Sequence, residues 1–323
     1  MTGTFTGGIT FTGGITFTVA PPSTPTAGWY GGGATPATVS LVNRITYATD
    51  TATATARGPL SVARKSLSAT GNLNYGWFGG GYGPGYFSRI DRITFATDTA
   101  TASIRGPLSL GRNALSATGT DSYGWFGGGY APPFLGYRTT IDRITYATDT
   151  DTATARGPLS SARTYTAATG STSYGYFAGG TYNPAESTID RITYATDTAT
   201  ASIRGPLSVA STKLAAVTDS TTYGWFAGGW AASPVLSIST VQRITYATDT
   251  ATATVRGPLS SARRYLAASS NTTDGWFGGG ERQPAIYFST VDRITYATDT
   301  ATASVRGPLS SVQYLLAATS GVQ

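Results

Sequence analysis

The sequence predicts an all-β protein: a six-bladed β-propeller closed by pairing of its N- and C-terminal strands, with an extended N-terminal β-tail. Three observations lead there. One unit of about 50 residues recurs six times. Each copy reads as four short strands, and the two chain ends hold complementary parts of one unit. The propeller is assigned to residues 27–323, and residues 1–26 form a Gly/Thr-rich tail with a Pro-rich spacer.

The repeat is nearly verbatim. RITYATDTATA, or a close variant, begins at Arg44, Arg92, Arg143, Arg191, Arg243 and Arg293, at spacings of 48, 51, 48, 52 and 50 residues. RGPLS follows from Arg57, Arg105, Arg156, Arg204, Arg256 and Arg306. Two aromatics before a glycine-rich step begin at Trp29, Trp77, Trp125, Tyr176, Trp225 and Trp276. One copy places its strands at 261–269, 275–280, 290–299 and 300–307. The third and fourth alternate with period two in Thr, Ile, Val and Tyr. An Ala-Thr-Asp-Thr turn joins them, where Asp can bond its own backbone. The RGPL proline lacks the N–H a ladder needs and falls between strands. No segment keeps a 3.6-residue apolar period, so helix is nearly absent.

A lone four-stranded sheet cannot cover both its faces, whereas six arranged radially cover one another. The last unit stops after LLAATS (315–320), without its aromatic-glycine strand. The first unit starts at that strand, GWYGGG (28–33). One blade built from both ends closes the ring and removes two open edges.

The period, the Gly-Gly after an apolar strand and a following Tyr resemble the kelch repeat. GPLSSARRYLAASSNTTDGWFGGG (257–280) is similar to the kelch inner strand with its Arg, followed by the diglycine strand, and the resemblance covers residues 28–320. It departs where kelch usually carries a Trp a few residues after the Tyr. Ala or Val stands there, and the Trp has moved next to the diglycine, which implies different packing between blades. The kelch-like fold also includes copper-radical oxidases, whose His ligands and Cys–Tyr cross-link this chain cannot supply. The YATDTATA…RGPLS units and the Gly-Thr tail resemble structural proteins of tailed marine cyanophages, which implies a virion component.

Composition narrows the chemistry. The 323 residues include no Cys and no His, 12% are charged, and the net charge is +6. Thiolate chemistry, imidazole catalysis, haem and zinc fingers are closed. No stretch approaches the roughly 20 apolar residues that span a bilayer. The first residues have neither a basic nor an apolar signal region, so the expected location is virion or extracellular without a signal peptide. Glu186 and Glu281 are the only glutamates, in different units, and no acidic pair stands out for glycoside chemistry. One Asp per turn (Asp50, Asp98, Asp149, Asp197, Asp249, Asp299) falls short of the roughly six to eight oxygens Ca²⁺ needs. GGGYGPG (79–85) opens no helix and is not a phosphate loop. Asn271-Thr272-Thr273 fits the N-glycosylation pattern but carries little weight without a signal peptide. The expectation is a non-enzymatic protein with no catalytic residue, metal site or cofactor.

The repeated Trp residues read as blade-to-blade packing rather than sugar platforms. In the Asp–Arg pairs (Asp91/Arg92, Asp142/Arg143, Asp190/Arg191, Asp292/Arg293) the two side chains point to opposite faces, which suits inter-blade ion pairs. Disagreement between repeats concentrates in the loop between the second and third strands. Those loops hold the candidate ligand-binding residues Tyr82, Tyr86, Phe87, Tyr130, Phe134, Tyr137, Tyr182, Trp230, Tyr287 and Phe288. Strand parity puts them on the face of the RGPLS connections, over a ring of Arg57, Arg105, Arg156, Arg204, Arg256 and Arg306. Aromatic platforms over a basic floor suit a polysaccharide or a protein partner. The plainer alternative is variable surface connection. Nucleic acid is not expected, because no Lys-rich stripe tracks a backbone.

In residues 4–19, Phe5, Ile9, Phe11, Ile15, Phe17 and Val19 alternate with Thr or Gly. As one strand this is about 50 Å long. Uncharged and apolar on one side, it is expected to pair with tails of other copies or dock on a neighbouring virion or fibre protein. PPSTP (21–25) separates it as a stiff spacer. The reading is a structural assembly protein, a phage decoration, tail or fibre component. It is anchored through the tail and displays a head whose loop face binds host glycan or a protein. The alternative is a soluble carbohydrate-binding lectin propeller with an incidental tail.

Overall fold

The computed structural model describes residues 24–132, 136–181, 184–232 and 236–321, and the backbone alone of 9–10, 16–17 and 235. Six four-stranded antiparallel sheets stand around one axis. Blade one joins Ala317–Thr319 to Ala27–Gly31, Val42–Thr46 and Thr55–Arg57. Blade two runs Ser68–Gly71, Tyr75–Gly79, Ile90–Thr94 and Ser103–Arg105. Blade three runs Ser116–Gly119, Tyr123–Gly127, Ile141–Thr145 and Thr154–Arg156, and blade four Ala167–Gly170, Tyr174–Ala178, Ile189–Thr193 and Ser202–Arg204. Blade five runs Ala215–Thr218, Tyr223–Ala227, Val241–Thr245 and Thr254–Arg256, and blade six Ala267–Ser270, Asp274–Gly278, Val291–Thr295 and Ser304–Arg306. The first strands line the axis, each beside those of both neighbours. The ring closes as expected, with Trp29 opposite Thr319 and Gly31 opposite Ala317.

The strands are shorter than the sequence suggests, for two reasons. The segment 261–266 is an arm that approaches the axis, and Tyr265 at φ +58° ends it before the inner strand starts at Ala267. The third strand stops at Thr295 because Tyr296–Thr298 form a 3-10 turn. The turn Asp does not bond its own backbone, as the sequence suggested. Its carboxylate reaches the preceding blade. Asp98 Oδ2 accepts from Trp29 Nε1 at 2.8 Å and Arg44 Nη1 at 3.2 Å, and Arg57 Nε lies 3.5 Å away.

The same clasp recurs at every seam. Asp149 meets Trp77, Arg92 and Arg105; Asp197 meets Trp125, Arg143 and Arg156; Asp299 meets Trp225, Arg243 and Arg256. Asp50 meets Trp276, Arg293 and Arg306 across the closure, and Asp249 takes the Tyr176 hydroxyl with Arg191 and Arg204. Each of these second-strand aromatics also stacks on the turn aromatic of the next blade, as Trp77 does on Tyr146 at 3.8 Å. The apolar core is therefore six seam clusters, one of them built on Trp29, Val42, Leu60, Leu67, Phe78 and Ile93. Burial of the indoles and capture of their N–H groups make them packing residues, as read from the sequence.

Glycine is required where the connections cross. A Cβ on Gly58 would sit 2.0 Å from the Ala100 carbonyl oxygen, and Gly58 N–H donates to the Asp98 carbonyl. Gly32 and Gly33 both have positive φ, +69° and +98°, so that Gly33 N–H reaches the Arg64 carbonyl on the next arm.

The tail departs from the expected single extended strand. Ile9–Thr10 pairs antiparallel with Thr16–Phe17, Ile9 opposite Phe17. The intervening sequence includes Gly13-Gly14, a turn-permissive step. Of the proposed assembly residues, Ile9 and Phe17 fall on this backbone pairing. Phe5, Phe11, Ile15 and Val19 lie outside the described residues.

Candidate functional site

Strand parity gives the propeller two unlike faces. On one side, turns between first and second strands surround the axial mouth as a cavity of about 420 Å³. Gly71, Thr120, Asp121, Ser171, Ser220 and Thr272 are among its lining, and Thr24 and Pro25 of the spacer lie against it. The tail therefore joins the head on this hydroxyl-rich side.

The opposite, loop face carries the variable loops, and the axis there is nearly closed. Ser66, Ala114, Tyr165, Lys213, Tyr265 and Leu315, one per blade, have φ between +52° and +62°. Each donates its N–H to the carbonyl of the equivalent residue in the preceding blade, from Ser66 to Leu315 at 2.7 Å through Leu315 to Tyr265 at 3.0 Å. The result is a closed ring of six backbone hydrogen bonds. A left-handed conformation at a non-glycine residue is unfavourable, and the ring holds it because it satisfies every donor that approaches the axis.

The predicted aromatic residues do not form one rim. Tyr82, Tyr86, Tyr130 and Tyr137 make a continuous ridge over blades two and three, with ring centroids 5.1, 5.7 and 6.1 Å apart in turn. Tyr82 and Tyr137 are its exposed ends, at 36% and 37%. Phe87, half-buried, packs against Gly83. Tyr287 stacks on Tyr314 at 4.8 Å, and Phe288 lies 5.8 Å from the buried Arg263 guanidinium. Trp230 is buried, in a small sheet made by Ser211–Thr212, Trp230–Ala232 and Val235–Ser237. Phe134 and Tyr182 lie outside the described residues.

The expected basic floor is absent. Arg57, Arg105, Arg156, Arg204, Arg256 and Arg306 all pair with turn carboxylates of the next blade, so their charge serves the seams. The Asp of each Asp–Arg dipeptide instead turns inward. Asp142 is fully buried, accepts from Ser109 N and Oγ at 3.0 and 2.6 Å, and pairs with the buried Arg112 at 2.8 Å. Only the Arg of each dipeptide spans to the next blade.

Positive charge on the loop face comes from residues the sequence reading missed. Lys213 Nζ lies 5.0 Å from the Tyr265 ring and 5.7 Å from those of Tyr165 and Trp230. Arg264 packs 4.5 Å over Trp230 and donates Nε and Nη2 to Glu281 Oε1 at 2.9 and 2.7 Å. Burial, and then the nearby Arg264, lower the Lys213 ammonium to about 7, with Glu281 opposing. The signal was present: the dipeptide at 65–66, 113–114, 164–165, 212–213, 264–265 and 314–315 is different in each of the six repeats. In the sequence these positions read as part of a strand, which hides their approach to the axis. Among the described residues no group of three or more Asp or Glu is placed to hold a metal ion.

No protein-family model and no curated protein sequence matches the chain. Solved structures do. The structure described as "Structure of YjhT" superposes with a TM-score of 0.65 over 80% of this chain and 88% of that one, at 12% identity. The chain is thus similar in fold to that protein, and the six-bladed propeller read from the repeats is the architecture it adopts.

Proposed function

We propose that this chain is a non-enzymatic display module: a rigid propeller head carried on an N-terminal β-tail, with the loop face as its binding surface. The observation that carries this reading is the placement of its two variable parts on opposite sides of the head. The spacer residues Thr24 and Pro25 leave from the hydroxyl-rich face, and the tyrosine ridge occupies the other. A tail anchored to a partner then leaves the ridge facing outward. The uncharged, alternating tail suits pairing with copies of itself or with a neighbouring fibre protein. Its resemblance to cyanophage structural proteins gives a virion as the setting, outside the cell, with host glycan as the ligand class the tyrosines suit. The ridge also favours a second reading, a soluble lectin in which the tail is incidental.

Light scattering on the full chain against the chain lacking residues 1–26 tests this. Assembly of the full chain alone, with a folded monomer after truncation, supports the display module. Monomers in both cases remove tail-driven self-assembly. Glycan binding by Tyr82 and Tyr137, lost on substitution to Ala and indifferent to truncation, would then favour the lectin.

A further inference from the structure

The seam between blades one and two departs from the repeat at two positions. In blades two to five a tyrosine opens the second strand and lays its ring against the seam arginine. Tyr75 meets Arg92 at 4.5 Å, Tyr123 Arg143 at 4.6 Å, Tyr174 Arg191 at 4.3 Å and Tyr223 Arg243 at 4.1 Å. Blade six has Asp274 there, 3.6 Å from Arg293 Nε. Blade one has Ala27, whose methyl group cannot cover a guanidinium. The Arg44 side chain is 30% exposed, against 18–22% for the four under a tyrosine. The second change is Phe95 in place of the turn tyrosine. Thr70, Thr118 and Thr169 each meet a tyrosine hydroxyl of the next blade, whereas the buried Thr319 Oγ1 has no hydrogen-bond partner among the described residues. At this seam a cavity of about 290 Å³ opens between Ala27, Trp29, Arg44, Thr46, Leu73 and Phe95, with the spacer residues Thr24 and Pro25 also against it.

We propose that this cavity is the dock for a tail phenylalanine of a second copy of the chain, one of Phe5, Phe11 and Phe17. This rests on the reading of the tail as an assembly strand. An incoming ring takes the place the repeat gives to tyrosine, over the Arg44 guanidinium and beside Trp29. Arg44 already pairs with Asp98 at 3.2 Å, so the occupant needs no charge of its own. The tail offers such a ring three times, in identical Thr-Phe-Thr steps at 4–6, 10–12 and 16–18, and it has no charged side chain. The same molecule's tail begins at the cavity wall. Its Pro21, Pro22 and Pro25 favour an extended departure that carries those phenylalanines away, which leaves the cavity to a neighbour. Each head then accepts one tail and gives one, a heterologous contact that closes into a ring or runs on as a filament.

Light scattering of the full chain over a range of concentrations tests this, with folding checked by circular dichroism. Ala27→Tyr fills the cavity with the residue that blades two to five carry there. It should raise the concentration of half-assembly at least about tenfold, the loss of one buried aromatic ring. Phe5→Leu, Phe11→Leu and Phe17→Leu together keep the apolar alternation but offer Arg44 no ring, and should also weaken assembly. Ala27→Ser leaves the cavity open and should assemble as the parent does. A second measurement does not depend on Ala27→Tyr folding. Unlabelled Leu73→p-benzoylphenylalanine chains, mixed with isotope-labelled parent chains and irradiated, should cross-link to labelled tail peptides. Cross-links confined to the same molecule's tail overturn the proposal, as does unchanged assembly of Ala27→Tyr or of the leucine variant. Any of these leaves tail-driven assembly itself standing. Monomers from the parent chain overturn the dock and the assembly reading together.

Discussion

The outer seams and the inner sockets of this propeller solve the same problem in different ways. At all six seams a turn Asp gathers an aromatic donor and two arginines from the preceding blade. The sockets vary. Blades two, three, four and six bury an Arg–Asp pair: Arg64–Asp91, Arg112–Asp142, Arg163–Asp190 and Arg263–Asp292. Blade one has Asn43 Nδ2 donating to Gln313 Oε1 at 2.9 Å, and Gln313 Nε2 donating to the Gly32 carbonyl. Blade five has Gln242 Oε1 accepting from Ser208 and Val209 N, with Ser211 where the Arg would stand. Charge is lost from both positions together or from neither. A socket needs matched partners rather than charge, because an unpaired buried ion costs more than the pair gains. The seam carboxylate answers to three donors at once, so no single exchange could match it.

The largest expected effect separates the regions by pH. Burial raises the hydroxyls of Tyr47, Tyr146, Tyr194, Tyr246 and Tyr296 above the usual phenol range, and all five belong to seams. A raised folded-state value gives stability that is whole below pH 10 and is lost as pH climbs toward the folded value. Each such tyrosine forfeits about 1.4 kcal/mol per pH unit above 10. Arg64, lowered to about 10, and Arg263, also lowered by burial, run the opposite way but are two groups against five. Denaturant midpoints should therefore fall steeply between pH 10 and 11. A flat profile would place the stability elsewhere than the seams.

Within a socket, Asp142→Ala strands the Arg112 guanidinium and should cost about 3–5 kcal/mol in chemical unfolding. The paired change Arg112→Gln with Asp142→Asn copies blade one and should recover most of that loss, to within about 1–2 kcal/mol of the parent. If the pair is as damaging as the single change, matching does not explain blades one and five. Smallest is Tyr176→Phe, which removes one donor to Asp249 while Arg191 and Arg204 remain. About 1 kcal/mol is expected from differential scanning calorimetry. A loss as large as the Asp142→Ala one would mean that the aromatic donor governs the clasp.

The blade count, the four-strand unit and the closure by both ends were legible because near-verbatim repetition fixes the period and the missing halves fix the topology. The role of the Trp residues was legible for the same reason. The loop face was only partly so. Its tyrosine ridge lay in loops that visibly vary, but Lys213 and Arg264 lay on arms that read as strand, and only the left-handed bend at Lys213 brings that residue to the axis.

Sequence alone determined the propeller, because alternation, turn residues and a 50-residue period are local properties of the chain. The tertiary structure decided where charge goes. Adjacent residues of a strand face opposite ways, so the Asp and Arg of one dipeptide serve different neighbours, and the RGPLS arginines reach the next blade rather than the loops. Those partners are 27 to 58 residues away, or more than 240 where the ring closes. Such pairings depend on how blades pack around the axis, and no window along the chain contains them.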